Sequence, residues 1–190
     1  MKRTSFLLAL LLVGALPSFA QSTEFGVLVG GSRRFVDAGP REQGVEFDDS
    51  TFSFSNNTFD LYWALQIEPD VWIKFKGGRM ETPVAVAYEV DGNEFRRDTT
   101  GEVQHIEMNV EYRFSEPFGS TGLFAGVGFY RQTADDDAET ENNYGLNAGV
   151  NADFPITRRY GFVLEGTYHW TRAPFQPRYM TVAGGLRLSF

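Results

Sequence analysis

His105-Ile106-Glu107-Met108-Asn109-Val110-Glu111-Tyr112-Arg113-Phe114 is the stretch that decides the fold. Ile106, Met108, Val110, Tyr112 and Phe114 share one parity, and His105, Glu107, Asn109, Glu111 and Arg113 share the other. Successive side chains of a strand point to opposite faces, so this alternation predicts a strand with one apolar and one polar face. A helix would scatter both classes around its circumference.

The same period recurs on both sides of this stretch. Phe59, Leu61, Trp63, Leu65 and Ile67 alternate with Asp60, Tyr62, Ala64 and Gln66, and Val71, Ile73 and Phe75 alternate with Trp72, Lys74 and Lys76. Leu146, Ala148, Val150, Ala152 and Phe154 interleave with Asn147, Gly149, Asn151 and Asp153. Phe162, Leu164, Gly166, Tyr168 and Trp170 interleave with Val163, Glu165, Thr167 and His169. The last run is Met180, Val182, Gly184, Leu186, Leu188 and Phe190, opposite Thr181, Ala183, Gly185, Arg187 and Ser189. Two weaker runs, around Phe25, Val27 and Val29 and around Leu123, Ala125, Val127 and Phe129, bring the total to about eight strands, each near the ten residues of a tilted membrane crossing.

Connections alternate in length. Residues 36–50, 81–101, 134–143 and 172–178 are long and polar, whereas residues 68–70, 115–122 and 155–159 are short. A barrel with periplasmic turns and extracellular loops has this asymmetry. Within the second long stretch, Asp91-Gly92-Asn93 suits a tight turn, so residues 83–103 read as a hairpin reaching past the membrane edge.

The chain begins with Lys2 and Arg3, an apolar run over residues 6–17, and Ser18-Phe19-Ala20, the pattern of a cleaved signal peptide. Residues 1–20 are therefore read as that peptide and residues 21–190 as one barrel domain. The peptide holds two of the 17 basic residues and none of the 25 acidic ones, leaving 15 against 25, a net charge of −10. That balance argues against nucleic-acid binding. With no cysteine, disulfides, thiolate metal sites and an N-terminal lipid anchor are excluded. No cofactor and no metal site are expected.

A soluble barrel would alternate too, with its apolar face inward. Mean hydropathy is −0.27 although the chain carries 18 Phe, 8 Tyr and 3 Trp, which fits a lipid face built from every second residue. Tyr112, Phe114, Phe154, Tyr160, Phe162, Tyr168, Trp170 and Phe190 fit two interfacial girdles. Gly126, Gly128, Gly149 and Gly185, on the opposite parity, would make room inside. Closure leaves no unpaired edge in lipid, where an orphan backbone group costs several kcal/mol.

The ending Gly185-Leu186-Arg187-Leu188-Ser189-Phe190 resembles the C-terminal assembly signal of outer-membrane barrels, with Gly185, Leu188 and Phe190 at its characteristic places. Ala183 departs from it where a polar residue is usual. By architecture the mature chain resembles the small eight-stranded barrels of the OmpA-transmembrane-domain and OmpX type. The resemblance implies an all-β, closed, up-and-down antiparallel barrel in the bacterial outer membrane. It also implies insertion by the barrel assembly machinery, outer-membrane lipid and lipopolysaccharide as surroundings, and a monomer.

On this register Asp60, Lys74, Lys76, Glu107, Glu111, Arg113, Glu165 and Arg187 face the interior, where acids and bases must pair because unpaired buried charge is costly. An interior network that plugs the barrel is expected over a gated proton or ion path, and a wide pore does not fit so few strands. Which acid meets which base depends on barrel shear. Asp135-Asp136-Asp137 with Glu139 and Glu141 reads as a solvated loop, lacking the spacing of a calcium loop. The small lipid A deacylase and palmitoyltransferase barrels show that the fold admits enzymes, and His169-Trp170-Thr171 is the candidate here. His169 falls on the interior parity, away from lipid, and His105 has only Glu107 near it along its face, so no catalytic site is expected. The reading is a structural or surface-binding outer-membrane protein whose loops carry recognition. Arg96 and Arg97 in the second loop are candidates for contact with an extracellular ligand.

Overall fold

The computed structural model describes residues 22–35, 56–90, 93–134, 141–171 and 178–190. The expected signal peptide, the first loop, Asp135 to Asp137 and Glu139, and residues 172–177 lie outside the described residues. Of residues 82–100 only the backbone of the strands is described, so the side chains of Arg96 and Arg97 lie outside as well, as does that of Glu141.

Eight strands follow in order: β1 (Thr23–Phe35), β2 (Asn57–Glu68), β3 (Val71–Val90), β4 (Asn93–Glu116), β5 (Gly119–Ala134), β6 (Glu141–Pro155), β7 (Tyr160–Thr171) and β8 (Arg178–Ser189). Each pairs antiparallel with the next, and β8 pairs with β1, closing the barrel. The turn between β4 and β5 is tighter than residues 115–122, because Ser115 pairs with Ser120 and Glu116 with Gly119. Only Pro117 and Phe118 remain to turn the chain.

Shear follows from one row of partners. Starting at Ser189, the row runs through Glu24, Ala64, Lys74, Asn109, Gly126, Asn147 and His169 to Tyr179. It leaves β8 at residue 189 and returns at residue 179, a displacement of 189 − 179 = 10. Strands therefore tilt, and a horizontal slice through the lumen cuts each at a different place in the ladder.

Burial obeys parity. In β7 the inward Gly161, Val163, Glu165, Thr167, His169 and Thr171 are buried, while Phe162, Leu164 and Trp170 are exposed. On the outer face Phe25 stacks on Trp63, Trp63 on Phe75, and Phe190 meets Phe25 edge-on at 6.1 Å. Tyr168 and Trp170, 4.4 Å apart, and Phe129 and Tyr144, 5.4 Å apart, lie toward the loop end. An apolar outside around a polar inside is the reverse of a soluble barrel and the pattern of a lipid-embedded one.

Glycines make room for large inward side chains. A Cβ on Gly128 would stand 2.7 Å from the Tyr130 ring, and one on Gly145 would stand 2.9 Å from it. Bare backbone on β5 and β6 lets that ring lie across the lumen. There Tyr130 joins Met80, Val103 and Tyr179 in a buried apolar layer toward the loop end.

Candidate functional site

The inward face holds one connected ladder of alternating charge. Toward the end where β1 begins and β8 ends, Arg187 pairs with Asp153 and, at 3.6 Å, with Glu24. Glu24 accepts from Arg113 Nη1 at 2.8 Å, and Arg113 also pairs with Glu111. Lys74 Nζ lies 2.7 Å from Glu111 and 2.8 Å from Glu165. Lys76 Nζ lies 3.0 Å from Glu165 and 3.2 Å from Glu107. Glu107 meets His169 Nδ1 at 2.9 Å, and His105 Nε2 stands 3.0 Å from Asp60 without hydrogen-bond alignment.

The structure places all eight residues singled out from the sequence on the inward wall: Asp60, Lys74, Lys76, Glu107, Glu111, Arg113, Glu165 and Arg187. Six are buried, and the two arginines keep 11% of their side-chain surface. The ladder also includes Glu24 and Asp153, which sequence reasoning missed as members. Glu24 lies one position before the apolar run of β1, and extending that parity by one residue would have found it. Asp153 is on the polar parity of β6, and it is needed because Arg187 would otherwise have one carboxylate instead of two.

His105 has more company than Glu107. Its ring centroid is 6.1 Å from Tyr130 and 5.7 Å from His169, and Asp60 reaches it from β2. These neighbours come from other strands and are invisible along β4 alone. His169 is fully buried, with Nδ1 held between Glu107 and Tyr130 and Nε2 3.3 Å from Thr181 Oγ1. Both ring nitrogens thus have interior partners.

Aromatic rings complete the cage. Lys74 Nζ sits 4.4 Å from the centre of the Phe124 ring, and the Arg113 guanidinium sits 3.9 Å from that of Trp72, attractive positions for a cation over a ring face. Among the described residues the ladder counts six carboxylates against four permanent cations, Lys74, Lys76, Arg113 and Arg187. The two histidines stand where the excess negative charge lies, each beside a carboxylate.

Two kinds of comparison carry weight beside this geometry. The sequence matches the family described as Outer membrane protein beta-barrel domain over residues 6–190. The chain belongs to that family. A search of curated proteins found no match. Among solved structures the chain is similar to Neisserial surface protein A, at 11% identity and a TM-score of 0.59, over 89% of this chain and 97% of that one. It is similar to the N-terminal β-barrel domain of Pseudomonas aeruginosa OprF, at 12% identity and 0.57, over 90% and 98%. It is also similar to Ail of Yersinia pestis, solved in complex with the heparin analogue sucrose octasulfate, at 14% identity and 0.55, over 89% and 98%. At these identities the likeness is one of fold. As an outer membrane β-barrel protein the chain sits in the bacterial outer membrane, and in such barrels the short turns face the periplasm.

Proposed function

We propose that this barrel is a non-enzymatic surface scaffold and that the β3–β4 hairpin is its binding element. One observation carries the reading. The ladder between β3 and β4 continues to Val90 paired with Asn93, whereas the β4–β5 ladder stops at Gly101 with Ala134 and the β2–β3 ladder at Thr58 with Met80. Beyond those points β3 and β4 pair only with each other among the described residues, a two-stranded ribbon standing clear of the barrel wall.

Each edge of such a ribbon offers unpaired backbone N–H and C=O groups to an extended partner segment. The barrel supplies a rigid mount, and its lumen supports this division of labour: the charge ladder and the apolar layer of Met80, Val103, Tyr130 and Tyr179 fill the space a channel would need. His169 supports a non-catalytic interior, since both of its ring nitrogens are engaged by interior partners away from lipid.

The test is adhesion. Cells displaying the full chain are compared with cells in which residues 84–99 are replaced by a two-residue Asn-Gly turn, on immobilised laminin, fibronectin and heparin. Loss of attachment with the barrel still folded, read as heat-modifiable gel migration, supports the reading. Attachment that survives the replacement, or no attachment by either strain, overturns it.

A further inference from the structure

We infer that the outer surface of β2–β5 holds one phosphorylated, multi-acyl lipid of the outer leaflet, with its acyl chains in a groove and its phosphate on Arg79 and Arg131. The proposal concerns the lipid face, separate from the ribbon above it.

The groove begins with a missing side chain. Leu61, Gly77, Ile106 and Phe129 are partners across four adjacent strands and all point outward. Gly77 leaves a gap in that row, and the depression there encloses about 720 Å³. A second apolar depression of about 960 Å³ shares Ile106 and Phe129 and continues toward Val127, Leu146 and Trp170. Two channels meeting at Ile106 and Phe129 suit a lipid with several chains better than a single flat annulus does.

The next row toward the loops changes character. Phe59, Arg79, Gln104 and Arg131 are partners in order, two residues beyond the Gly77 row on every strand. The two arginines therefore flank Gln104 on adjacent strands, at the mouth of the groove that both line. Glu102 sits 3.5 Å from Arg79 and accepts from Gln104 Nε2 at 2.8 Å, which steadies this rim. Even so paired, the Arg79 side chain keeps 61% of its surface. A guanidinium has five donors in a planar fork, so the remaining ones can take a phosphate bidentately. Nearby Tyr144 and Trp170, exposed and amphipathic, mark the same level as the boundary between hydrocarbon and headgroups.

Charge and shape commit the occupant. An apolar groove rimmed by cations selects an amphiphile with a net anionic head, because the phosphate of a zwitterionic phospholipid is offset by the cation of its own headgroup. Glycine at position 77 is not required by backbone crowding: a Cβ there would meet its nearest atom at an ordinary 3.6 Å. A larger residue would fit on the surface and fill the groove.

The experiment uses the full mature barrel folded in detergent, probed by native mass spectrometry with purified diphosphorylated lipid A, dephosphorylated lipid A and phosphatidylcholine. Diphosphorylated lipid A is expected to bind about tenfold more tightly than either of the others, the scale of a net charge-assisted hydrogen bond. Arg79→Gln with Arg131→Gln should remove that preference, and Gly77→Leu should weaken both forms of lipid A. The control Arg158→Gln with Arg159→Gln, in the periplasmic turn, should change nothing. Equal binding of the three lipids to the unaltered protein overturns the proposal without any variant. So does an equal loss in the control, which would mean general charge attraction, or full competition by inorganic phosphate, which would mean an anion site without a lipid groove.

Discussion

Lys76 and Glu165 touch across the full width of the lumen, Nζ to Oε1 at 3.0 Å, from strands β3 and β7 that stand four places apart in a ring of eight. Lys74 reaches the other oxygen of the same carboxylate at 2.8 Å. Two ammonium groups on one wall thus converge on a single acid on the opposite wall. The barrel is tied through its centre as well as around its circumference, and the tie occupies the path an ion would follow.

Removing that acid should be costly. Glu165→Ala leaves two buried cations with one carboxylate each, and breaking a buried pair from one side costs about 3–5 kcal/mol. We expect the urea midpoint of the folded, fast-migrating gel band to fall markedly. Replacing the stranded groups together, Lys74→Met, Lys76→Met, Glu165→Leu and Glu107→Gln, should restore much of the loss, since Glu111 keeps Arg113 and no buried charge loses its only permanent partner. An unchanged midpoint in Glu165→Ala would show that the tie contributes nothing to stability.

This ladder also marks where the sequence stops being informative. Parity assigns Lys74, Glu111 and Glu165 to one face without knowledge of any contact. The partner of Lys74 across the β3–β4 ladder is Asn109, however, and that of Glu111 is Trp72. Their ion pair is a diagonal, and the pair with Glu165 crosses the lumen. The first depends on the β3–β4 register alone, the second on a shear of ten, the sum of the registers around the barrel. Apolar inward residues are legible by parity but not by residue type: Leu28, Tyr62, Phe124 and Met80 are buried inside, although a polar-in, apolar-out rule applied residue by residue would send them to lipid. What admits them is space left by glycines on neighbouring strands, as with Phe124 beside Gly149. The strands, their order and the tight turns needed none of this, because alternation and turn residues are local.

The closing seam offers a second prediction, with two variants that separate folding from delivery. At Gly185 an added Cβ would run into the backbone carbonyl of Val27 on β1, so Gly185→Val should impair closure wherever the protein folds. Phe190 is 70% exposed, with one ring contact to Phe25 at 6.1 Å, so Phe190→Ala should alter the finished barrel little. If the terminal aromatic is read by the assembly machinery, Phe190→Ala refolds normally from urea into lipid vesicles yet accumulates unfolded in cells. Equal defects of Phe190→Ala in both settings would reduce the residue to a packing role.

Conductance provides the last prediction. An eight-stranded barrel has an interior that side chains can fill, and here the crossbar of Lys74, Lys76 and Glu165 lies beneath the layer of Met80, Val103, Tyr130 and Tyr179. In planar bilayers the unaltered protein should show no steady current. Replacing the three crossbar residues with serine removes the charges together and frees room that polar walls will fill with water. Replacing Tyr130 and Tyr179 with alanine in the same protein opens the apolar layer above. Stepwise conductance is expected only when both barriers are removed, because each alone interrupts the column of water. Steady current through the unaltered barrel would overturn the plugged reading, whereas current after the serine substitutions alone would show that the apolar layer is no barrier.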